Sequence, residues 1–253
     1  MTEINAAEVI GKIEKELIVC GDILLHADRS DKMTESKEGH ANFVTTYDKM
    51  IQNILAEKLL EIVPGAVFVG EEDDVRAQIE KGWSFIVDPI DGTTNFIMDL
   101  KESAISVGLL LDGAPYIGVC YNPYLNEMYT AVKGGGAYLN GAPIHVSKKP
   151  LSEGLVLFGT APYYPEFTAP TFNMCADYLK KALDVRRAGS AVLDLCKLAA
   201  GRAVRFFEFR LSPWDYAAAS LIVEEAGGII TTLENTPLTF DRPCSVFARN
   251  REE

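Results

Sequence analysis

Two early stretches carry apolar residues every three or four positions. Val9, Ile10, Ile13, Leu17, Cys20 and Leu24 mark one face of the segment from Ala6 to Ala27. That spacing predicts an amphipathic helix. A second helix is predicted over Thr46–Val63, with Asp48 in its first turn and Pro64-Gly65 as its stop. Between them, residues 29–42 are polar and aperiodic and are expected to form a mobile loop.

The pattern then shortens. "AVFVG" and "SFIVD" read as buried strands, and the stretch from Ser103 to Ile144 reads as a run of antiparallel strands. Its turn signals are Asp112-Gly113, Asn122-Pro123, Gly134-Gly135-Gly136 and Asn140-Gly141. Past Pro150 a strand "EGLVLFGT" leads to a helix over 171–183 and a second over Ala188–Gly201 with Ser190 as candidate cap. A strand "AVRFFEF" carrying Glu208 follows. The next helix is opened by Ser212 and Pro213 and closed by Gly227, and the tail "GGIITTLENTPLTF" adds strands. The expectation is a mixed α/β chain with one subdomain over 1–150, a second over 151–253 and a shared cleft.

Composition narrows the function. The 253 residues carry a net charge of -12, which argues against binding to nucleic acid or an anionic membrane. No apolar run approaches a membrane span, and the N-terminus lacks a signal-peptide pattern. Five scattered cysteines without a C-x-x-C pair suit free thiols in a reducing cytoplasm better than disulfides or zinc.

Chemistry concentrates in acids. In "IVDPIDGTTNF" a buried strand ends in Asp88, and Asp91 follows three residues later. Pro89 is expected to end the regular strand so that both carboxylates face one side. Two close carboxylates repel unless a cation sits between them, and oxygen ligands suit Mg²⁺ or Mn²⁺. Gly92 and the N–H groups after it suit an anion. The competing reading is a solvated turn that caps a helix. "VGEED" repeats the strand, glycine and acid order at Glu71, and "SPWD" sets Asp215 in a helical first turn, where each acid alone is an ordinary helix-start residue. None of the three histidines sits in a motif, and there is no nucleophile elbow, P-loop or dinucleotide fingerprint.

Taken together, "GEE", "DPIDGTTNF", and "WD" before an Ala-rich helix and "EEAGG" resemble the inositol monophosphatase family of metal-dependent, lithium-sensitive phosphatases. The resemblance implies an α-β-α-β-α layered sandwich, commonly a homodimer, using two or three Mg²⁺ ions, with Mn²⁺ as a substitute. It implies that Glu71, Asp88 and the Ile90 carbonyl hold one ion, and that Asp88, Asp91 and Asp215 hold another. Gly92 and Thr93 would bind phosphate. Glu71 and Thr93, the latter paired with Asp48, would activate water. Asp91, Gly189, Ser190 and Glu208 would face the alcohol portion of the substrate, and Lys37 matches a lysine of the family's mobile loop.

The implied substrate is an inositol phosphate or a related small polyol or sugar phosphate. The alternatives are 3'-phosphoadenosine 5'-phosphate, fructose 1,6-bisphosphate, or a non-catalytic regulatory role. The chain departs from the family pattern at Tyr47 and over 97–103, "IMDLKES", where substrate choice is expected to be decided.

Overall fold

The computed structural model describes residues 4–28, 34–36, 43–72, 79 and 81–251. Helix α1 (Ala6–Leu25) starts where the Asn5 side chain accepts the Glu8 N–H, and it buries Val9, Ile13, Leu17, Cys20 and Leu24. The predicted face is therefore the packed face. The stretch expected to be a loop contains β1 (Thr34–Ser36), which pairs antiparallel with β2 (Phe43–Thr45) just past its end. The sequence signal missed this because three-residue strands show no measurable alternation. Lys37 lies outside the described residues.

Helix α2 (Thr46–Ile62) begins in a capping box. Thr45 caps the helix, and Asp48 reaches back to the Thr45 N–H at 2.7 Å.

Strands β3 (Val67–Gly70), β4 (Trp83–Asp91), β5 (Ala104–Leu111), β6 (Ala114–Asn122), β7 (Glu127–Val132), β8 (Gly136–Leu139) and β9 (Ala142–Ile144) form a seven-stranded sheet in that order, with the short α3 (Thr93–Ile97) between β4 and β5. Only the β3–β4 pair is parallel. All four predicted turn signals mark junctions between strands, with Asn122 ending β6 and Gly136 opening β8. Asp112-Gly113 and Asn140-Gly141 both take the left-handed conformation that a tight hairpin needs.

A second, five-stranded sheet has the order β11 (Asp184–Arg186), β10 (Leu155–Phe158), β12 (Arg205–Leu211), β14 (Cys244–Arg249), β13 (Ile229–Thr231). Strand β14 was not recognised in the sequence. Most of the expected tail strand is irregular past Thr231. Three further helices complete the chain: α4 (Thr168–Leu179), α5 (Ala191–Ala199) and α6 (Pro213–Glu225). Helix α4 is displaced toward the N-terminus from the predicted span, because Pro170 is tolerated in a first turn.

The cores define the layers. One joins α1 and α2 to Phe85, Val87, Val107 and Val119 of the large sheet. A second joins α5 and α6 both to the opposite face of that sheet, at Cys120, Tyr129 and Ala131, and to Leu157, Phe206 and Val246 of the small sheet. A third packs Cys175 and Tyr178 of α4 on Val156 and Phe207, the outer face of the small sheet. The order is thus α-β-α-β-α.

Helix α6 lies close to the large sheet because the sheet presents no side chains there. Gly108 and Gly118 face each other across β5 and β6. A Cβ on Gly108 would stand 3.1 Å from the Ala217 Cβ, and one on Gly118 would overlap the Ala218 carbonyl. This approach sets where α6 begins, and so where Asp215 stands. Among the described residues, no helix is long and apolar enough to cross a membrane.

Candidate active site

Strand β4 does not stop at Pro89. It runs on to Asp91, with a register shift against β5 between Asp88 and Asp91. The expectation that Pro89 ends the strand is thereby corrected: the proline, which has no N–H to pair, falls within an irregularity that absorbs it. The irregularity also resets the alternation. Ile90 packs with Phe85 and Val87 on the α1/α2 side. Ile86 packs with Ala217 on the α6 side, and Asp88, two residues on, shares that face. Asp88, Asp91 and Asp215 end up together, with one candidate ligand atom from each lying within 4.8 Å of the others.

Each carboxylate is held by backbone. Asp88 Oδ1 accepts the Ile90 N–H at 2.9 Å. Asp91 Oδ2 accepts the Val192 N–H at 2.9 Å and the Ser190 hydroxyl at the start of α5. Asp215 Oδ2 accepts the Ser212 N–H at 2.7 Å. The two expected caps, Ser190 and Ser212, therefore stand at the starts of helices that also carry site residues.

Glu71 follows β3, its N–H bonded to the Val87 carbonyl at 3.2 Å, and it lines the same pocket. Gly70 leaves the space that the Gln52 amide fills, and Gln52 Oε1 accepts the Glu72 N–H at 2.8 Å. A buried α2 residue thus fixes the turn that presents Glu71.

Burial and mutual repulsion push these acids up. Burial raises Asp88 most, followed by the charges of Glu71, Asp91 and Asp215. Burial is also the main cause at Asp215, with Asp91 and Glu71 adding to it. Asp91 is pushed up to about 6 by burial, against the pull of its Ser190 and Val192 hydrogen bonds. Such a cluster is costly as bare charge and suited to a hard cation. No histidine or cysteine lines the pocket among the described residues.

Beside the cluster, Gly92 takes φ +83° and α3 starts at Thr93. The Thr93 hydroxyl lies 3.0 Å from the Ile90 carbonyl and 3.4 Å from Asp48 Oδ1. Asp48 is fully buried, and its Oδ2 accepts from the Thr45 N–H and, at 2.5 Å, from the Thr45 hydroxyl. The geometry brings Thr93 and Asp48 together, with Asp48 behind Thr93 rather than in the pocket wall.

Asn95 ties the two halves of the site, donating to the Glu102 carbonyl at 2.7 Å and the Ala188 carbonyl at 2.9 Å. Gly189, at φ +90°, leaves room for the Asn95 amide. Asn95 was not singled out in the sequence, although it lies inside the quoted motif.

Glu208 on β12 lines the pocket too, with the Ala161 N–H donating to its Oε1 at 2.9 Å. Burial pushes it up to about 8. The same pocket, about 360 Å³, includes Asp194, Tyr163, Tyr164, Arg187 and Arg210, none of which the sequence marked. Asp194 is pushed up to about 7, chiefly by burial, with Lys197 pulling the other way.

The divergent 97–103 segment does not line this pocket. It wraps behind it, with Asp99 and Lys101 at positive φ and the Ser103 hydroxyl donating to the Gly92 carbonyl at 3.0 Å. The pocket is lined by Glu71, by residues of the 88–95 stretch and by residues from the second half of the chain.

Comparison with known proteins gives the family. A model of the inositol monophosphatase family matches residues 6–253. The chain is 35% identical over 219 residues to an inositol-1-monophosphatase of Bacillus subtilis, covering 85% of this chain and 82% of that protein. It is 36% identical over 202 residues to Nus factor SuhB of Escherichia coli, covering 79% and 76%. The crystal structure of extragenic suppressor protein suhB from Bartonella henselae superposes with a TM-score of 0.88 at 30% identity, over 96% of this chain and 94% of that one. With fold, motifs and matches in agreement, the chain belongs to the inositol monophosphatase family.

Proposed function

We propose that the protein is a Mg²⁺-dependent phosphomonoesterase acting on an inositol monophosphate or a related small polyol or sugar phosphate. The observation that carries this reading is the convergence of Asp88, Asp91 and Asp215 within 4.8 Å, beside the Gly92–Thr93 backbone. The donor set is all oxygen and strongly acidic, which fits Mg²⁺ or Mn²⁺. Glu71, Asp88 and the Ile90 carbonyl are assigned to one ion, and Asp88, Asp91 and Asp215 to a second. Bound cations supply water of lowered pKa and neutralise charge on the leaving oxygen.

The chain's own residues supply the rest. Backbone N–H groups at Gly92 and Thr93 orient the phosphate. The Thr93 hydroxyl, poised between the Ile90 carbonyl and Asp48, positions the attacking water and passes a proton toward Asp48 Oδ1, while Glu71 flanks that water. The water oxygen bonds to phosphorus as the ester oxygen departs in line and takes up a proton, so no phosphoenzyme forms. Asp91, Gly189, Ser190 and Glu208 hold the alcohol portion. The name of the Bacillus subtilis relative supports the choice of inositol phosphate.

The same proposal divides the chain near residue 150, into subdomains over 1–150 and 151–253. It is supported by the large sheet ending at Ile144 and the small sheet beginning at Leu155. A homodimer, lithium sensitivity and a cytoplasmic location accompany the family reading. Sedimentation and LiCl inhibition curves check the first two. The test of function is phosphate release from inositol monophosphate in Mg²⁺ and after chelation. Release that requires Mg²⁺ supports the reading, and no release from any small phosphomonoester refutes it. A regulatory role through protein contacts is a second reading, favoured by the name Nus factor carried by the Escherichia coli relative. Turnover in Mg²⁺ would demote it.

A further inference from the structure

The divergent 97–103 segment stays out of the pocket lining, yet it is tied to a turn that belongs to that lining. Lys197 of α5 makes the tie. Its Nζ lies 3.5 Å from Glu102 Oε1 and 3.7 Å from Asp194 Oδ1, one turn earlier on α5. Asp194 lines the pocket and is 1% exposed. Among the described residues its Oδ1 has no hydrogen-bond partner, and the Lys197 ammonium offsets its charge. The Ala188 N–H also stabilises the Asp194 carboxylate. Ala188 is joined in turn to Asn95, whose amide donates to the Ala188 carbonyl at 2.9 Å and the Glu102 carbonyl at 2.7 Å. Glu102, Lys197, Asp194, Ala188 and Asn95 therefore close a ring at the start of α5. The two residues after Ala188, Gly189 and Ser190, stand in the pocket wall.

A buried carboxylate oxygen without a hydrogen bond is unfavourable, and a neutral side chain at position 194 would avoid that cost. The charge has a use if it fixes the turn. Glu102 shares Lys197 with Asp194 and holds the ammonium short of a direct hydrogen bond, which leaves the Asp194 carboxylate to the Ala188 N–H. Without Glu102 the ammonium would close on Asp194 and compete with that N–H. Without Lys197 the buried charge would lose its counter-charge. Either change loosens the Ala188–Ser190 turn. Asp91 has further holds, strand β4 and the Val192 N–H at 2.9 Å, so the effect falls on the alcohol end of the pocket rather than on the metal cluster. We propose that Glu102 and Lys197 are positioning residues for the alcohol portion of the substrate. Acting through Asp194, they set the Ala188–Ser190 turn, so the divergent segment influences substrate choice without entering the pocket. This rests on the phosphatase reading above.

The wild type is compared with Glu102→Gln, Lys197→Met, the double variant and Lys197→Arg. KM for inositol monophosphate in Mg²⁺ is measured beside Ki for inorganic phosphate, which fills the phosphate site and has no alcohol portion. Glu102→Gln and Lys197→Met should each raise KM by at least about threefold, with kcat and the phosphate Ki unchanged. The double variant should match Lys197→Met, because Glu102 acts through Lys197. Lys197→Arg keeps the charge and should hold KM near the wild-type value. The Glu102–Lys197 pair is partly exposed and contributes little to stability, so Glu102→Gln stays folded even if Lys197→Met does not. A ring serving only the fold would lower Tm and leave the KM of the folded protein unchanged. An unchanged KM in Glu102→Gln, additive effects in the double variant, or equal weakening of ester and phosphate overturns the proposal. If the wild type hydrolyses no ester, the phosphatase reading fails. Calorimetric binding of inositol monophosphate and of inorganic phosphate in Ca²⁺ then decides the positioning role: Glu102→Gln must weaken the ester alone, and any other result overturns it.

Discussion

Glu208 occupies space that Gly159 leaves empty: a Cβ at position 159 would overlap the Glu208 carboxylate itself. Gly159 follows β10, and its N–H bonds to the Phe207 carbonyl at 3.1 Å, one residue before Glu208. The two strands are therefore locked side by side, and the glycine decides where the carboxylate points. Ala161, at φ +42°, then turns the chain so that its N–H meets Glu208 Oε1.

Gly159→Ala should raise KM for the polyol phosphate by about tenfold, the effect of losing one well-placed hydrogen-bonding group. The check is a pair of variants. Glu208→Ala alone and Glu208→Ala with Gly159→Ala should have equal KM, because the alanine methyl acts only by displacing the carboxylate. Additive effects would show that Gly159 matters for another reason.

The stability of the metal-free protein should fall as pH rises. Asp91, Asp194 and Glu208 are pushed up to about 6, 7 and 8, chiefly by burial. In the unfolded chain such groups lose their protons near pH ~4. Between ~4 and ~8 the folded state binds more protons than the unfolded state, so the slope of stability with pH is negative. Below that window the penalty is absent, and above it the penalty is complete. Thermal melts of chelated protein should show a Tm lower by at least ~5 °C at pH ~8 than at pH ~5. Millimolar Mg²⁺ should raise Tm more at the higher pH, where fewer protons compete for the ligands.

Gly118→Ala should destabilise the fold by ~1–3 kcal/mol, the usual cost of overpacking. The methyl would meet the Ala218 carbonyl of α6. Urea unfolding measures this. Because α6 carries Asp215 in its first turn, the same variant should bind Mg²⁺ more weakly. A stable variant with normal metal affinity would show that the close helix–sheet approach does not position the ligand.

Gln52→Ala should cost ~1–3 kcal/mol by leaving the Glu72 N–H without its acceptor. It should also lower turnover, since Glu71 sits in the turn that Gln52 holds. Activity unchanged in a destabilised variant would separate the two effects and remove Glu71's positioning from the account.

Much of this was legible in the chain. The α1 and α2 faces followed from their spacing, the hairpins from Asp112-Gly113 and Asn140-Gly141, and the acid cluster from residues that break the local pattern. A buried strand has no use for Asp88 or Asp91 unless something binds there. Four things were less legible. The register shift at Pro89 depends on β5, which lies across the sheet. Strand β14, "CSVFAR", is too mixed in character to announce itself. Gly159 and Gln52 matter only through the side chains and turns that meet them in three dimensions. Arg187 and Arg210 carry no mark in the sequence, because nothing local distinguishes an arginine bound to water from one that lines a cleft. The 97–103 segment shows the converse: its departure from pattern was visible in the sequence, but its place outside the pocket lining was not.

The central claim is that Asp91 belongs to a carboxylate cluster that binds Mg²⁺ to hydrolyse a phosphomonoester. The most direct measurement is phosphate release from inositol monophosphate against Mg²⁺ concentration for the wild type and Asp91→Asn, with Mg²⁺ binding followed by calorimetry in both. The wild type should show saturable Mg²⁺-dependent turnover. Asp91→Asn should stay folded, bind Mg²⁺ more weakly and lose at least ~10³-fold in rate, as expected when several kcal/mol of transition-state charge stabilisation are removed. An Asp91→Asn protein that turns over near the wild-type rate, or a wild type equally active after chelation, would contradict the account.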